Sequence, residues 1–141
     1  MNDQLPETNK FKDFANPFNY QLTITENNEP KSTVVDMVET FNYLIGLKVA
    51  TIKTIDGFRV VTGTKRTGEA TLVIWRNTAE KDNDALCRFF EQYRAGEDFA
   101  AQHIYINGDN TVSNLQEEGD TWKVYLTEKI FLQQMFAIQD V

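Results

Sequence analysis

The stretch Val49-Ala50-Thr51-Ile52-Lys53-Thr54-Ile55-Asp56-Gly57-Phe58-Arg59-Val60-Val61-Thr62-Gly63-Thr64, with Ala70-Thr71-Leu72-Val73-Ile74-Trp75 shortly after it, decides the fold. Its β-branched and aromatic residues suit a pleated surface. Asp56-Gly57 between the first two runs is a strong two-residue hairpin signal, because the tight turns that match strand twist need positive φ. The third run is apolar without clean alternation, which predicts a strand covered on both faces and therefore a central one. Val49 to Ile55, Phe58 to Thr64 and Ala70 to Trp75 thus form a meander of three strands.

Upstream, the apolar spacing changes. Val34, Val35, Met37, Val38, Phe41, Leu44 and Ile45 recur at three and four residues, the stripe of a helix facing a core. Thr33 can cap its first turn, Asp36 sits near the positive end of its dipole, and Gly46 suits the left-handed C-terminal position. Before it, Phe18, Tyr20, Leu22 and Ile24 alternate with polar residues and predict a strand over about 18–25, broken by the stretch Glu26 to Pro30. Residues 1–16, polar and interrupted by Pro6, hold no period and are expected to be a mobile lead-in to a single domain spanning 17–141.

Downstream, Asp82 or Asn83 can cap a helix carrying Leu86, Phe89, Phe90 and Tyr93, stopped by Gly96. Ile104-Tyr105-Ile106 reads as a short strand and Asn107-Gly108-Asp109-Asn110 as a turn. A polar loop to Asp120 precedes a strand at Trp122 to Leu126, and Thr127 can cap a last helix with Ile130, Phe131, Met135 and Phe136 on its apolar face. This order argues for an α/β or α+β domain, a mixed sheet with a three-stranded antiparallel meander flanked by about three helices.

The 141 residues suit one domain, and 41% hydrophobic with 25% charged residues is a globular composition. Cys87 has no partner for an intramolecular disulfide, and with His103 the sole histidine a Cys/His zinc cluster lacks ligands. Net charge is −7, which disfavours uniform polyanion binding. The apolar runs fall short of the roughly 18 residues of a membrane span, and the start lacks a basic-then-apolar signal region, so a cytoplasmic location is expected.

The charge is uneven. Lys48, Lys53, Arg59, Lys65, Arg66 and Arg76 meet only Asp56 and Glu69 within the meander, a basic island in an acidic chain. Arg59, Lys65 and Arg66 either touch a phosphate backbone or acidic partner, or are ordinary solvated charges. Asp109, Glu117, Glu118 and Asp120 read as an unrelieved acidic loop. Asn107, Asp109 and Asn110 stand with flexible backbone after a strand, where α/β sheets place ligands, the plainer reading being a turn. Among polar residues of the first helix, Glu39, Asn42 and Tyr43 are candidates for a partner surface.

Several chemistries lack their residues. No glycine-rich strand-to-helix turn is present to cradle a nucleotide or methyl donor. Cys87 beside Phe89 and Phe90 reads as an inert buried thiol, and His103 as a satisfied or surface histidine rather than a general base. Helix, meander, helix, strand is also the core order of restriction-endonuclease-like nucleases, which need two carboxylates and a lysine on adjacent strands. Here Asp56 falls in a turn, Glu69 opens the third strand and Thr71 stands where lysine is wanted, so this alternative is a degenerate nuclease domain.

Val35-Asp36-Met37-Val38-Glu39-Thr40-Phe41-Asn42-Tyr43-Leu44-Ile45-Gly46-Leu47 and Ile104-Tyr105-Ile106-Asn107-Gly108-Asp109-Asn110 resemble segments near the C-terminus of type III restriction-modification methylation subunits, adenine-specific DNA methyltransferases. Gly57 to Gly63, Leu72 to Arg76 and Leu132 to Phe136 resemble the same region in the same order, so the likeness runs from about Pro17 to Phe136. It implies a C-terminal portion of a longer chain that methylates adenine at N6 with S-adenosylmethionine. That family's Asp-Pro-Pro-Tyr and Phe-x-Gly-x-Gly motifs have no counterpart here. The resemblance therefore implies a non-catalytic accessory domain with no cofactor or metal of its own, serving subunit association, restriction-subunit docking or DNA positioning. Its partners would be the methyltransferase core, the restriction subunit and, through the full assembly, DNA. A stand-alone homodimerisation module is a further alternative.

Overall fold

The structure, a computed structural model, describes residues 14–19, 21–26, 29–34, 36–97 and 99–139. Strands β1 (Gln21–Glu26) and β2 (Glu29–Val34) pair as a separate antiparallel hairpin. Helix α1 (Met37–Leu44) leads into β3 (Lys48–Ile55), β4 (Phe58–Thr64) and β5 (Ala70–Trp75). Helix α2 (Asn83–Arg94) then connects to β6 (His103–Ile106), and a 3₁₀ turn at Val112–Leu115 precedes β7 (Lys123–Leu126) and α3 (Thr127–Gln139). The main sheet runs β3-β4-β5-β6-β7, antiparallel through β5 and parallel from β5 to β7. It is the mixed sheet with an antiparallel meander and three helices that the sequence pattern predicts.

Local chemistry accounts for much of this. Asp56 and Gly57 take φ of 50° and 85°, which the β3–β4 turn requires. β5 lies third of five strands, and Thr71 to Trp75 are buried throughout. Alternation then sorts the side chains. Leu72 and Ile74 join Phe58, Val60, Ile104 and Ile106 under Leu86, Phe89 and Phe90 of α2. Val73 and Trp75 join Val61 and Tyr105 under Phe41 of α1 and Phe131 of α3. Phe41 meets Trp75 and Tyr105 edge-on at 5.6 and 5.5 Å, the arrangement aromatic quadrupoles favour. α2 therefore covers one sheet face and α1 with α3 the other.

Five expectations are corrected. The first strand begins at Gln21 rather than Phe18, which lies in a 3₁₀ turn at Pro17–Asn19; Tyr20 lies outside the described residues. Pro30 does not end the β-structure but sits in β2, opposite Thr25, and Thr33 pairs with Leu22 instead of capping a helix. The cap is Asp36, whose Oδ1 accepts the Glu39 N–H at 3.0 Å. At the other end of the chain, α3 follows β7 without a gap, and the buried Thr127 hydroxyl has no hydrogen-bond partner and caps nothing. Phe14, expected in the lead-in, is buried edge-on to Phe131, and the Ala15 carbonyl accepts the Thr78 N–H at 2.8 Å, so 14–16 belong to the body. Residues 1–13 lie outside the described residues. Among the described residues no helix is long and apolar enough to cross a membrane.

Candidate functional site

The β4–β5 turn and the C-terminus of α1 meet beside α3 and enclose a cleft of about 460 Å³. Gly46 ends α1 at φ 66°, and a Cβ there would stand 3.1 Å from Arg66 Nε, so glycine supplies both the turn and the room for the guanidinium. Lys65, half-buried, donates from Nζ to the Tyr105 hydroxyl at 2.8 Å. The same Nζ lies 3.4 Å from His103 Nδ1. An ammonium can only donate, so a hydrogen bond at this contact uses the Nδ1 lone pair of the neutral imidazole. Burial, and then the Lys65 charge, hold the His103 pKa below its ordinary value.

Parallel register sets Tyr105 of β6 opposite Tyr125 of β7, and their rings stack at 5.2 Å. Tyr125 and Gln134 line the cleft, and Tyr43 stands at its rim with 78% of its surface exposed. Among the described residues neither Lys65 nor Arg66 has a carboxylate within ion-pair distance. Glu69, in the same turn, accepts from the Thr67 hydroxyl. That bond is the main cause of its lowered pKa, with a backbone hydrogen bond second and Lys65 adding a weaker pull.

The opposite end of the parallel strands is built differently. Arg76 follows β5, Asn107 follows β6 and Glu128 follows the end of β7. Arg76 is buried and gives Nε to the Asn107 carbonyl (3.1 Å), Nη1 to that of Lys81 (2.9 Å) and Nη2 to that of Asp109 (3.2 Å). Asn107 is fully buried: its Oδ1 accepts the Arg76 N–H at 3.0 Å, and its Nδ2 donates to the carbonyls of Phe14 and Arg76 at 2.6 and 2.8 Å. The Glu128 carboxylate accepts the Gly108 N–H at 2.9 and 3.1 Å. Burial raises its pKa and lowers that of Arg76, each against a smaller pull from the other's charge. Asn110 completes the turn, donating to the Gly108 carbonyl and accepting the Val112 N–H.

The sequence-predicted residues separate accordingly. Tyr43, Lys65 and Arg66 converge on the cleft. Arg59 lies at the other end of β4, donating to Thr54 and resting 5.5 Å over the Phe18 ring. Asn107 and Asn110 spend their polar atoms inside the protein, Asp109 offers its carbonyl to Arg76, and Arg76 leaves the basic surface it was counted in. Asn42 is buried at 6% exposure and so leaves the expected partner surface, while Glu39 stays exposed on α1. The acidic loop is relieved at two of its four acids, because Arg94 bonds Glu117 and Asp120 at 3.1 and 2.9 Å. Sequence reasoning missed Tyr105 and Tyr125 as cleft residues and His103 as a neighbour of Lys65; the usable signal for the tyrosines was an aromatic at matching positions of two short strands.

Asp56 and Glu69 flank opposite ends of β4, so the carboxylates of the nuclease alternative do not share a site. No group of three or more His, Cys, Asp or Glu among the described residues is placed to hold a metal. The glycine after β6, Gly108, has its N–H committed to Glu128.

These features define a three-layer α/β domain with a mixed five-stranded sheet and a basic, tyrosine-lined cleft. Comparison with protein-family models, with curated proteins and with solved structures finds no match.

Proposed function

We propose that this chain is a non-catalytic C-terminal accessory domain of a type III restriction-modification adenine-specific DNA methyltransferase, helping to position the subunit on DNA and against its protein partners. The observation that supports it is the convergence of Lys65 and Arg66, without carboxylate partners among the described residues, in one cleft of a chain whose net charge is −7. A cationic spot on an acidic body orients a polyanion, because the surrounding field repels it everywhere else. In this reading S-adenosylmethionine and methyl transfer belong to the catalytic portion of the parent protein. The location is cytoplasmic, and the partners are the methyltransferase core and the restriction subunit, with DNA reached through the assembly.

The test is titration of a labelled DNA duplex with the chain alone, and then with the catalytic portion, at several salt concentrations. Salt-dependent binding that is enhanced only by the combination, and reduced when Lys65 and Arg66 are both replaced by alanine, supports the proposal. No enhancement overturns the DNA-positioning role, and a doubled mass in solution would then favour the homodimerisation alternative.

A further inference from the structure

We infer that the cleft between α1 and α3 takes a single unpaired nucleotide, its phosphate on Lys65 and Arg66 and its base against tyrosine. The inference rests on the DNA-facing part of the function proposed above and names the chemical unit that this part would recognise.

Four observations carry it. First, the cations are available and one of them is preorganised. Lys65 Nζ is fixed by Tyr105 and His103, which occupy two of its three donors, and Arg66 has no carboxylate partner among the described residues. Glu69, the acid of this turn, is engaged by Thr67. Second, Tyr43 at the rim and Tyr125 inside offer aromatic surface next to those cations, the combination that binds single strands through stacking and charge together. Third, a volume of about 460 Å³ falls within the range of small-molecule sites. A base offers its face to such a cleft only when it is out of the duplex stack. Fourth, Gln134 places an amide on the lining, able both to donate to and to accept from a base edge.

The experiment uses the full chain alone and a fluorescently labelled oligothymidylate of about eight residues, within the span that single-strand sites cover. The competitors are a duplex of equal length, adenosine monophosphate and inorganic phosphate. The expected result is tighter binding of the single strand than of the duplex, with adenosine monophosphate competing better than phosphate. Arg66→Gln and Tyr43→Ala should each weaken binding by about tenfold without moving the melting temperature, and Tyr43→Phe should keep it. Arg88→Gln, an exposed cation of α2 on the other sheet face, should change nothing. Binding of the monophosphate without the oligonucleotide would assign the site to free nucleotides and keep the nucleotide chemistry. Equal competition by phosphate, equal affinity for the duplex, or no loss in the Arg66 and Tyr43 variants would overturn the inference. Because the catalytic portion is absent from this assay, single-strand binding can succeed where the duplex titration with the assembled subunit fails, and the reverse.

Discussion

The two ends of the parallel strands hold arginines in opposite circumstances. Arg76 is 2% exposed, and each of its three guanidinium nitrogens donates to a carbonyl oxygen. Arg66 is exposed, lies across Gly46 and has no carboxylate partner among the described residues. Burying a charge costs several kcal/mol unless hydrogen bonds replace its water, so a buried arginine persists only where the fold answers it fully. A solvated arginine carries no such penalty and contributes little to stability. One end of the sheet therefore spends its polar groups on holding three strand ends together, and the other keeps them for something outside the protein. The lesson is to read residual hydrogen-bonding capacity, rather than charge alone, as the mark of a binding surface.

The largest effect should follow from attacking the saturated end. Asn107→Ala removes three hydrogen bonds and leaves the Arg76 N–H, the Arg76 carbonyl and the Phe14 carbonyl without that partner in a buried setting. A loss of about 2–4 kcal/mol is expected in urea unfolding, since each orphaned buried group costs about 1–3 kcal/mol and the neighbours relax in part. Stability within about 0.5 kcal/mol of the original, the range of ordinary surface substitutions, would break the comparison, because the cluster would not then be holding the strand ends.

The mirror experiment is smaller by design. Arg66→Ala should leave unfolding within about 0.5 kcal/mol, as for surface changes away from caps and cores. Its effect should instead appear in the salt dependence of single-strand binding, whose logarithmic slope falls by about 0.7 for each phosphate contact removed. A stability loss as large as that of Asn107→Ala, with an unchanged slope, would make Arg66 a structural residue and erase the contrast between the ends.

What the sequence disclosed, and what it hid, follows the range of the forces involved. The Asp56-Gly57 turn, the doubly covered β5 and the Asp82 cap were readable because each rests on a few adjacent residues; the Asp82 Oδ1 accepts the Ala85 N–H at 2.9 Å. β2 was not readable: Glu29-Pro30-Lys31-Ser32 has no apolar alternation, and the strand exists through its pairing with β1. Lys65, Arg66 and Tyr43 could be named singly as polar candidates, but their meeting depends on packing α1 against the sheet. Counting charges put Arg76 among the surface cations, since a count of signs along the chain carries no information about burial. Asn107 looked like a turn residue because composition reports the turn, not the three bonds made by its side chain.

The smallest prediction concerns pH and sharpens the same contrast. The folded-state pKa of His103 lies below its ordinary value, because burial and the neighbouring Lys65, with a weaker push from Lys123, outweigh the attraction of Glu69. The unfolded chain then binds the proton first, so the stability tied to the neutral ring is present above about pH 6.5 and is lost as pH falls toward the folded-state value. Glu128 has the opposite sign: its raised pKa means that acidification toward the carboxylate range favours the folded form at the saturated end. Unfolding measured between about pH 8 and 5 should therefore show a larger acid-side loss in the original chain than in His103→Asn, the other carboxylates being common to both. Identical pH profiles would mean that His103 protonates alike in the folded and unfolded chains and that its neutral ring contributes nothing measurable to stability. A larger loss in the variant would reverse the sign and remove His103 from the support of the cleft. In the expected case, protonating His103 removes one of the two acceptors of Lys65 Nζ, Tyr105 keeping the other, while the Arg76–Asn107 cluster stays intact.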